Sequence, residues 1–166
     1  MPILDANTFE FISRSPDQTR RIGMRLGELL QPMDIICLNG ELGAGKTTLV
    51  QGIAKGWGSI DAVTSPTFVL VNNYRRPDGM EMNHLDAYRL ESALEAEDLD
   101  LDRMIVVGPL LVEWAERIQA ALPQECLAVS MAWISDEHRR LVFSFCGDRY
   151  GRLLENLRSG MVMSFE

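Results

Sequence analysis

Residues 34–48 read DIICLNGELGAGKTT, and this stretch decides the fold. Residues 34–38 form a short run that is apolar and partly β-branched after Asp34, which is typical of a strand buried inside a sheet. Residues 40–47 then match the pattern G-x-x-x-x-G-K-[ST] at every position. From residue 47 to residue 57 the apolar residues return to helical spacing. A strand, a glycine-rich turn and a helix in this order predict a phosphate-binding loop.

The residue types of this loop are suited to binding a nucleoside triphosphate. Glycine lets the backbone curl so that successive N–H groups surround the β-phosphate, and the start of the helix adds partial positive charge. Lys46 supplies a mobile charge to the β- and γ-phosphate oxygens, and the hydroxyl of Thr47 is placed for Mg²⁺.

Such a loop needs a carboxylate for its metal, and two positions qualify. Glu113 follows the apolar run 110–112, and Asp86 ends the strand-like run 83–86. Both acids are expected at the nucleotide site because each closes an apolar strand next to the loop. Glu113 is favoured as the magnesium partner, and Asp86 stays the alternative.

Three further positions allow two interpretations each. Thr67, in the stretch Ser65-Pro66-Thr67, is either a switch residue that senses the γ-phosphate or a cap at a strand entry. His84 is near the site, but a single histidine is more often structural than a base. Trp114 is either a core residue or an exposed contact.

Outside the loop, the pattern predicts an α/β domain. Ser15 and Pro16 begin a helix that Pro32 ends. Residues 67–74 and 80–88 predict one antiparallel hairpin, and residues 126–134 and 140–145 predict a second. Residues 91–102 predict a short helix plus loop, and Leu153 and Leu157 a closing helix.

Length and composition limit the possible classes. A chain of 166 residues fits a single domain, 1–166. Sixteen basic against 24 acidic residues give a net charge of −8, so a broad surface for gripping nucleic acid is not expected. Three widely spaced cysteines predict reduced thiols in or near the core. No apolar run is long enough to span a membrane and no signal peptide is evident, so the cytoplasm is expected.

Four ordered motifs together resemble one family. They are the loop GELGAGKTT (40–48), SPTF (65–68), HLDAYRL (84–90) and the pair Glu113-Trp114, with Thr19 and Tyr74 as further matches. On these residues the chain resembles the TsaE (YjeE) family of bacterial ATPases that act in tRNA threonylcarbamoyladenosine synthesis. Glu41 stands where the family usually has Asp, and Leu85 where it usually has Phe.

The resemblance implies a P-loop NTPase variant with a mixed central sheet and helices on both faces. It implies ATP with Mg²⁺ as cofactors, weak hydrolysis by the isolated protein, and action with the partner proteins TsaB and TsaD on position 37 of tRNAs that read ANN codons. It further implies that tRNA is reached only through that complex.

The same resemblance implies the roles of individual residues. The implied nucleotide-binding residues are Thr19, Glu41, Leu42, Gly43, Ala44, Gly45, Lys46, Thr47 and Thr48; the metal partners are Thr47, Asp86 and Glu113; the catalytic group is Lys46, Thr67, Asp86 and Glu113.

Two other functions share the phosphate loop. A small-molecule kinase normally carries an arginine-bearing lid, and no insertion here is long enough for one. A nucleotide-gated interaction module with little turnover is the nearer alternative. Measurement of ATP turnover with and without partners separates these functions.

Overall fold

One mixed sheet organises the described part of the chain, and seven described strands form it. The computed structural model describes residues 7–41, 43–63 and 71–165. The strands are β1 (Thr8–Ser13), β2 (Ile35–Gly40), β3 (Val71–Arg75), β4 (Glu81–Asp86), β5 (Leu110–Glu113), β6 (Cys126–Trp133) and β7 (Arg139–Cys146). Their spatial order is β1-β7-β6-β2-β5-β4-β3. The four central strands β6, β2, β5 and β4 are parallel to one another, and β7, β1 and β3 pair antiparallel with their neighbours, so the predicted mixed sheet is confirmed.

Helices cover both faces of this sheet, as predicted. They are α1 (Pro16–Leu29), α2 (Lys46–Trp57), α3 (Ala93–Glu97), α4 (Leu101–Val107) and α5 (Asp148–Phe165), with a 3₁₀ helix at Ala115–Ala121. One core lies beneath α1, α2 and α5. The second lies beneath α3, α4 and the 3₁₀ helix. None of the described helices is long and apolar enough to cross a membrane.

The strand β2 lies between these two cores. Ile36 and Leu38 belong to the core under α1, α2 and α5. Ile35 and Cys37 belong to the core on the opposite face. Because successive strand residues point to opposite faces, a strand buried on both sides needs an unbroken apolar run. The sequence IICL provides that run directly before the phosphate loop.

Helices α1 and α2 touch backbone to backbone. A Cβ atom added at Gly27 would lie 2.0 Å from the carbonyl oxygen of Ile53, and one at Gly52 would lie 2.2 Å from the carbonyl oxygen of Arg20. Both distances are far below contact distance, so only glycine fits at this crossing. Helix α2, whose first residue follows the phosphate loop, is thereby held against α1.

Some elements differ from the sequence predictions. The strand β1 was not predicted; it pairs with β7, more than 120 residues away in the chain. The predicted short helix and loop at 91–102 contain α3, but a second helix, α4, continues to Val107. The two predicted hairpins are confirmed, except that residues 67–70 of the first lie outside the described residues.

The cysteines are free thiols, but their environments differ from the prediction. Cys37 is buried, Cys126 is half-buried and Cys146 is exposed, so the predicted placement in or near the core is wrong for Cys146. The thiols of Cys37 and Cys126 lie within hydrogen-bonding reach, and this contact lowers the pKa of Cys126 to about 7. Parallel pairing of β2 with β6 brings together two cysteines that are 89 positions apart in the chain.

Candidate functional site

The turn between β2 and α2 has the backbone that a phosphate loop requires. Gly43 and Gly45 have φ angles of 82° and 97°, which residues with a Cβ rarely adopt. The N–H of Ala44 donates to the carbonyl of Glu41 at 3.0 Å and closes the turn. Gly45 is the N-cap of α2, and no side chain caps this helix. The first N–H groups of α2 can therefore bind an anion.

Lys46 bends back across this turn. Its Nζ donates to the carbonyl of Gly40. The same atom lies 5.1 Å from the centre of the Trp114 ring and 4.0 Å from Glu113 Oε1. The ammonium group is thus held at the mouth of the loop, between a carbonyl, an aromatic face and a carboxylate.

The two predicted acids lie side by side. Asp86 ends β4 and Glu113 ends β5, and the two residues are paired in the parallel register. Glu113 Oε2 is 2.9 Å from His84 Nε2. Asp86 Oδ1 accepts a hydrogen bond from the N–H of Tyr88 at 2.9 Å. Because carboxyl ends of parallel strands meet at one edge of the sheet, both acids lie on the same edge as the phosphate loop.

His84 joins this group through a second buried contact. Its Nδ1 lies 3.2 Å from the hydroxyl oxygen of Tyr74. Sequence analysis placed His84 near the site and favoured a structural role. The structure gives it a specific partner, Glu113, which the spacing of the two residues in the chain could not indicate.

The other predicted residues are placed as follows. Thr47 and Thr48 form the first turn of α2 beside Lys46, and Glu41 is exposed at the start of the loop. Thr19 is buried on α1, and its hydroxyl lies 2.7 Å from that of Ser13, so no described contact joins it to the loop. Leu42 and Thr67 lie outside the described residues.

Arg139 also reaches the loop, although no sequence motif indicates it. This residue begins β7, and its Nη2 donates to the carbonyl of Gly43 at 3.4 Å. Its Nη1 donates to carbonyls of the preceding turn, the closest being Ser135 at 2.7 Å. Among the described residues its Nε is the one buried side-chain nitrogen or oxygen without a partner. The motif gives no signal for Arg139, because β6 and β7 bring it to the loop from 96 positions away.

An aromatic and cationic cluster forms the outer wall of the site. The rings of Tyr88 and Trp114 are 5.2 Å apart. The guanidinium of Arg117 lies 5.2 Å from the Tyr88 ring and 5.8 Å from the Trp114 ring. Trp114 has a φ of 59°, a strained value for a residue with a large side chain. Trp114 is half-buried, so it lies between the two earlier interpretations of a core residue and an exposed contact.

The donor groups at this edge fit magnesium with a phosphate ligand. Mg²⁺ prefers oxygen ligands and keeps several waters beside one or two carboxylates. Thr47, Asp86 and Glu113 offer a hydroxyl and two carboxylates, too few for a site without phosphate and water. The described residues contain no cluster of three or more acidic, histidine or cysteine side chains that could hold a metal ion.

A parallel strand, a glycine-rich turn, a helix start and an acid on the neighbouring strand define the P-loop class of nucleotide-binding proteins. The family model described as "Threonylcarbamoyl adenosine biosynthesis protein TsaE" matches residues 13–141. The chain belongs to the TsaE family.

Relatives support this assignment over most of the chain. The chain is 40% identical to the tRNA threonylcarbamoyladenosine biosynthesis protein TsaE of Bacillus subtilis over 145 residues, covering 86% of this chain and 89% of that protein. It is 41% identical to the Streptomyces coelicolor protein of the same name, covering 79% and 93%. The crystal structure of YdiB from Bacillus subtilis superposes with a TM-score of 0.76 at 33% identity, covering 92% of this chain and 95% of that one.

Proposed function

We propose that this protein binds ATP with Mg²⁺ and hydrolyses it in support of tRNA threonylcarbamoyladenosine synthesis. The observation that carries the proposal is the pairing of the phosphate loop with Glu113, whose Oε1 lies 4.0 Å from Lys46 Nζ across the mouth of the loop. The names of the relatives supply the pathway.

The role that we propose for each residue depends on its position at the loop. The N–H groups from Gly43 to Thr48 bind the phosphates, and Lys46 stabilises the charge that develops on the β- and γ-phosphate oxygens. Thr47, Glu113 and Asp86 hold Mg²⁺, which neutralises charge on the phosphates when it is bound. Among the acids we assign Glu113 as the closer metal partner, because its Oε1 lies 4.0 Å from Lys46 Nζ at the mouth of the loop, whereas the described contact of Asp86 is to the N–H of Tyr88.

The remaining sequence-based assignments extend this proposal. Glu41, Leu42 and Ala44 complete the loop, and Thr67 responds to the γ-phosphate. Thr19 contributes to the nucleotide site from α1, although its described contacts are to Ser13 and Ser15.

The partner proteins are proposed from the resemblance to the family. We propose that the protein acts in the cytoplasm with TsaB and TsaD, and that these partners contact the tRNA. A net charge of −8 agrees with this division, since a polyanion is repelled by an acidic surface.

Nucleotide binding to the purified protein tests the proposal. Lys46→Ala should weaken ATP binding about 10- to 100-fold, because a charge-assisted contact worth about 1.5–3 kcal/mol is lost. The matched control is Lys55→Ala, since Lys55 is the chain's other lysine and lies exposed at the far end of α2. Equal ATP affinity for the parent and a folded Lys46→Ala protein would contradict the assignment.

Product analysis separates ATP hydrolysis from the two alternatives. An ATPase releases ADP and inorganic phosphate in equal amounts, and TsaB with TsaD should raise the rate. A small-molecule kinase would form ADP without free phosphate in the presence of its acceptor. A nucleotide-gated module would bind the partners differently with ATP and with ADP. It would show almost no ATP turnover, whether the partners are present or absent.

A further inference from the structure

A hydrogen-bond chain across three neighbouring strands fixes Glu113. The Tyr74 hydroxyl on β3 lies 3.2 Å from His84 Nδ1 on β4, and His84 Nε2 lies 2.9 Å from Glu113 Oε2 on β5. A neutral imidazole with its proton on Nε2 satisfies both contacts. The tyrosine hydroxyl then donates to Nδ1, and Nε2 donates to the carboxylate.

These linked hydrogen bonds between Tyr74, His84 and Glu113 are shielded from water. His84 is 1% exposed and Tyr74 is 2% exposed. A buried polar group that loses its partner leaves an unsatisfied donor or acceptor, which costs about 1–3 kcal/mol. The imidazole therefore holds a single orientation between its two partners, and the carboxylate takes its orientation from the imidazole.

The opposite oxygen of Glu113 is not held in this way. Its Oε1 faces Lys46 Nζ at 4.0 Å, which is beyond hydrogen-bonding distance. Without the contact to His84, the carboxylate could rotate and form a close ion pair with Lys46. Such a pair would occupy both the cation and the acid that the phosphate loop requires.

We propose that His84, itself held by Tyr74, is a positioning residue that keeps the carboxylate of Glu113 turned away from Lys46 and available to magnesium. This inference rests on the proposed function. Residues that orient metal-binding groups through a hydrogen bond typically change metal affinity or activity by 10- to 100-fold when they are removed.

Two substitutions at His84 test the proposal against a merely structural role. His84→Ala should raise the Mg²⁺ concentration for half-maximal ATP turnover, or lower kcat, by about 10-fold or more. ADP binding in EDTA should stay within about threefold, because the phosphate loop is untouched. His84→Gln places an amide donor near the position of Nε2 and should recover most of the Mg²⁺ response.

A double-mutant cycle with Glu113 gives the sharper test. If His84 acts through Glu113, adding His84→Ala to Glu113→Gln should change the Mg²⁺-dependent rate less than twofold. Independent roles would make the two effects multiply. Full multiplication would overturn the proposal.

Controls separate the possible failures. Tyr74→Phe removes only the outer hydroxyl and should give a smaller change of the same kind, which also provides a folded variant if His84→Ala aggregates. His138→Ala removes the chain's other histidine, whose side chain is exposed, and should match the parent. Equal loss of ADP binding in EDTA and of turnover in both His84 variants would show a structural role. A parent protein that binds no ATP would instead reject the proposed function.

Discussion

Two buried carboxylates at opposite ends of the central strands differ in how far their hydrogen bonding is completed. Asp34, just before β2, accepts from Arg149 Nε at 3.0 Å, from Arg149 Nη2 at 2.7 Å and from the N–H of Gln31 at 2.8 Å. Glu113, at the end of β5, has His84 on one oxygen and Lys46 at 4.0 Å from the other.

The difference separates a structural acid from the acid that we propose binds the metal. Burying a charge is costly unless it is paired and hydrogen-bonded, and Asp34 meets that condition through Arg149, which also donates to the carbonyl of Leu29. Asp34 therefore fastens the start of α5 to the end of α1. Glu113 keeps an oxygen without a close donor, facing the cation of the phosphate loop, which suits it to bind a metal.

Substitution of Glu113 should give the largest effect on activity. Glu113→Gln keeps an acceptor for His84 but removes the charge, so ATP turnover should fall about 100- to 1000-fold, or roughly 3–4 kcal/mol in barrier height. The free energy of unfolding, measured in urea, should change by less than about 1 kcal/mol. The exposed neighbour Glu116→Gln serves as the control. ATP turnover by Glu113→Gln at the parental rate would contradict a role of Glu113 in the site.

Substitution of Asp34 should give the converse result. Asp34→Ala leaves Arg149 without its carboxylate and should lower the free energy of unfolding by about 2–3 kcal/mol. That figure lies below the range for fully buried pairs because the Arg149 side chain is 31% exposed. ATP affinity of the folded protein should be unchanged. The control is Asp148→Ala, which changes the residue next to Arg149 on the same helix. If Asp148→Ala lost as much stability as Asp34→Ala, the structural role assigned to Asp34 would be contradicted.

Substitution of Tyr150 should lower the free energy of unfolding by a smaller amount. Its hydroxyl accepts from the N–H of Ile35 at 2.8 Å, so Tyr150→Phe should cost about 1–2 kcal/mol at pH 8 by leaving that buried N–H unsatisfied.

The same residue predicts a pH dependence with a definite sign. Burial raises the pKa of Tyr150 to about 12. The folded state therefore keeps its proton while the unfolded state, with a pKa of about 10, loses it. Tyr150 favours folding below pH 10, and this contribution falls as the pH rises towards 12. Urea titrations at pH 8, 10 and 11.5 should show the parent losing more stability with pH than Tyr150→Phe; parallel curves would contradict this.

Local patterns predicted the centre of the fold because its signals are contained in short stretches. The run IICL, the glycines at 43 and 45, and Pro16 with Ser15 each determine a neighbouring backbone conformation. The strand β1 escaped prediction because its six residues become a strand through pairing with β7. Helix α4 is only seven residues long and depends on burial of Leu101 and Ile105 rather than on helical pattern.

The candidate site shows the same division. Lys46 and Thr47 belong to one motif, and Glu113 was found because an acid after an apolar run is a local signal. Arg139 reaches the loop because β6 pairs with β2 and thereby brings the predicted β6–β7 hairpin beside the loop, and the contact of His84 with Glu113 depends on the register of β4 and β5. Sequence spacing carries no information on such cross-strand neighbours when their strands are joined by long connections.

The backbone contact between α1 and α2 limits how this site can be transplanted. Gly23, Gly27, Gly52 and Gly56 let the two helices approach until an added methyl group would overlap a carbonyl of the other helix, at 1.9 Å for Gly56 and Met24. A designer who grafts only the eight-residue loop onto another scaffold would lose the support that sets the direction of α2. The loop keeps its support only within the block of residues 15–58 with these four glycines unchanged, and the new scaffold would have to supply the two acids at Asp86 and Glu113. A mutational library that spares the loop but varies those glycines should displace α2 and with it the loop.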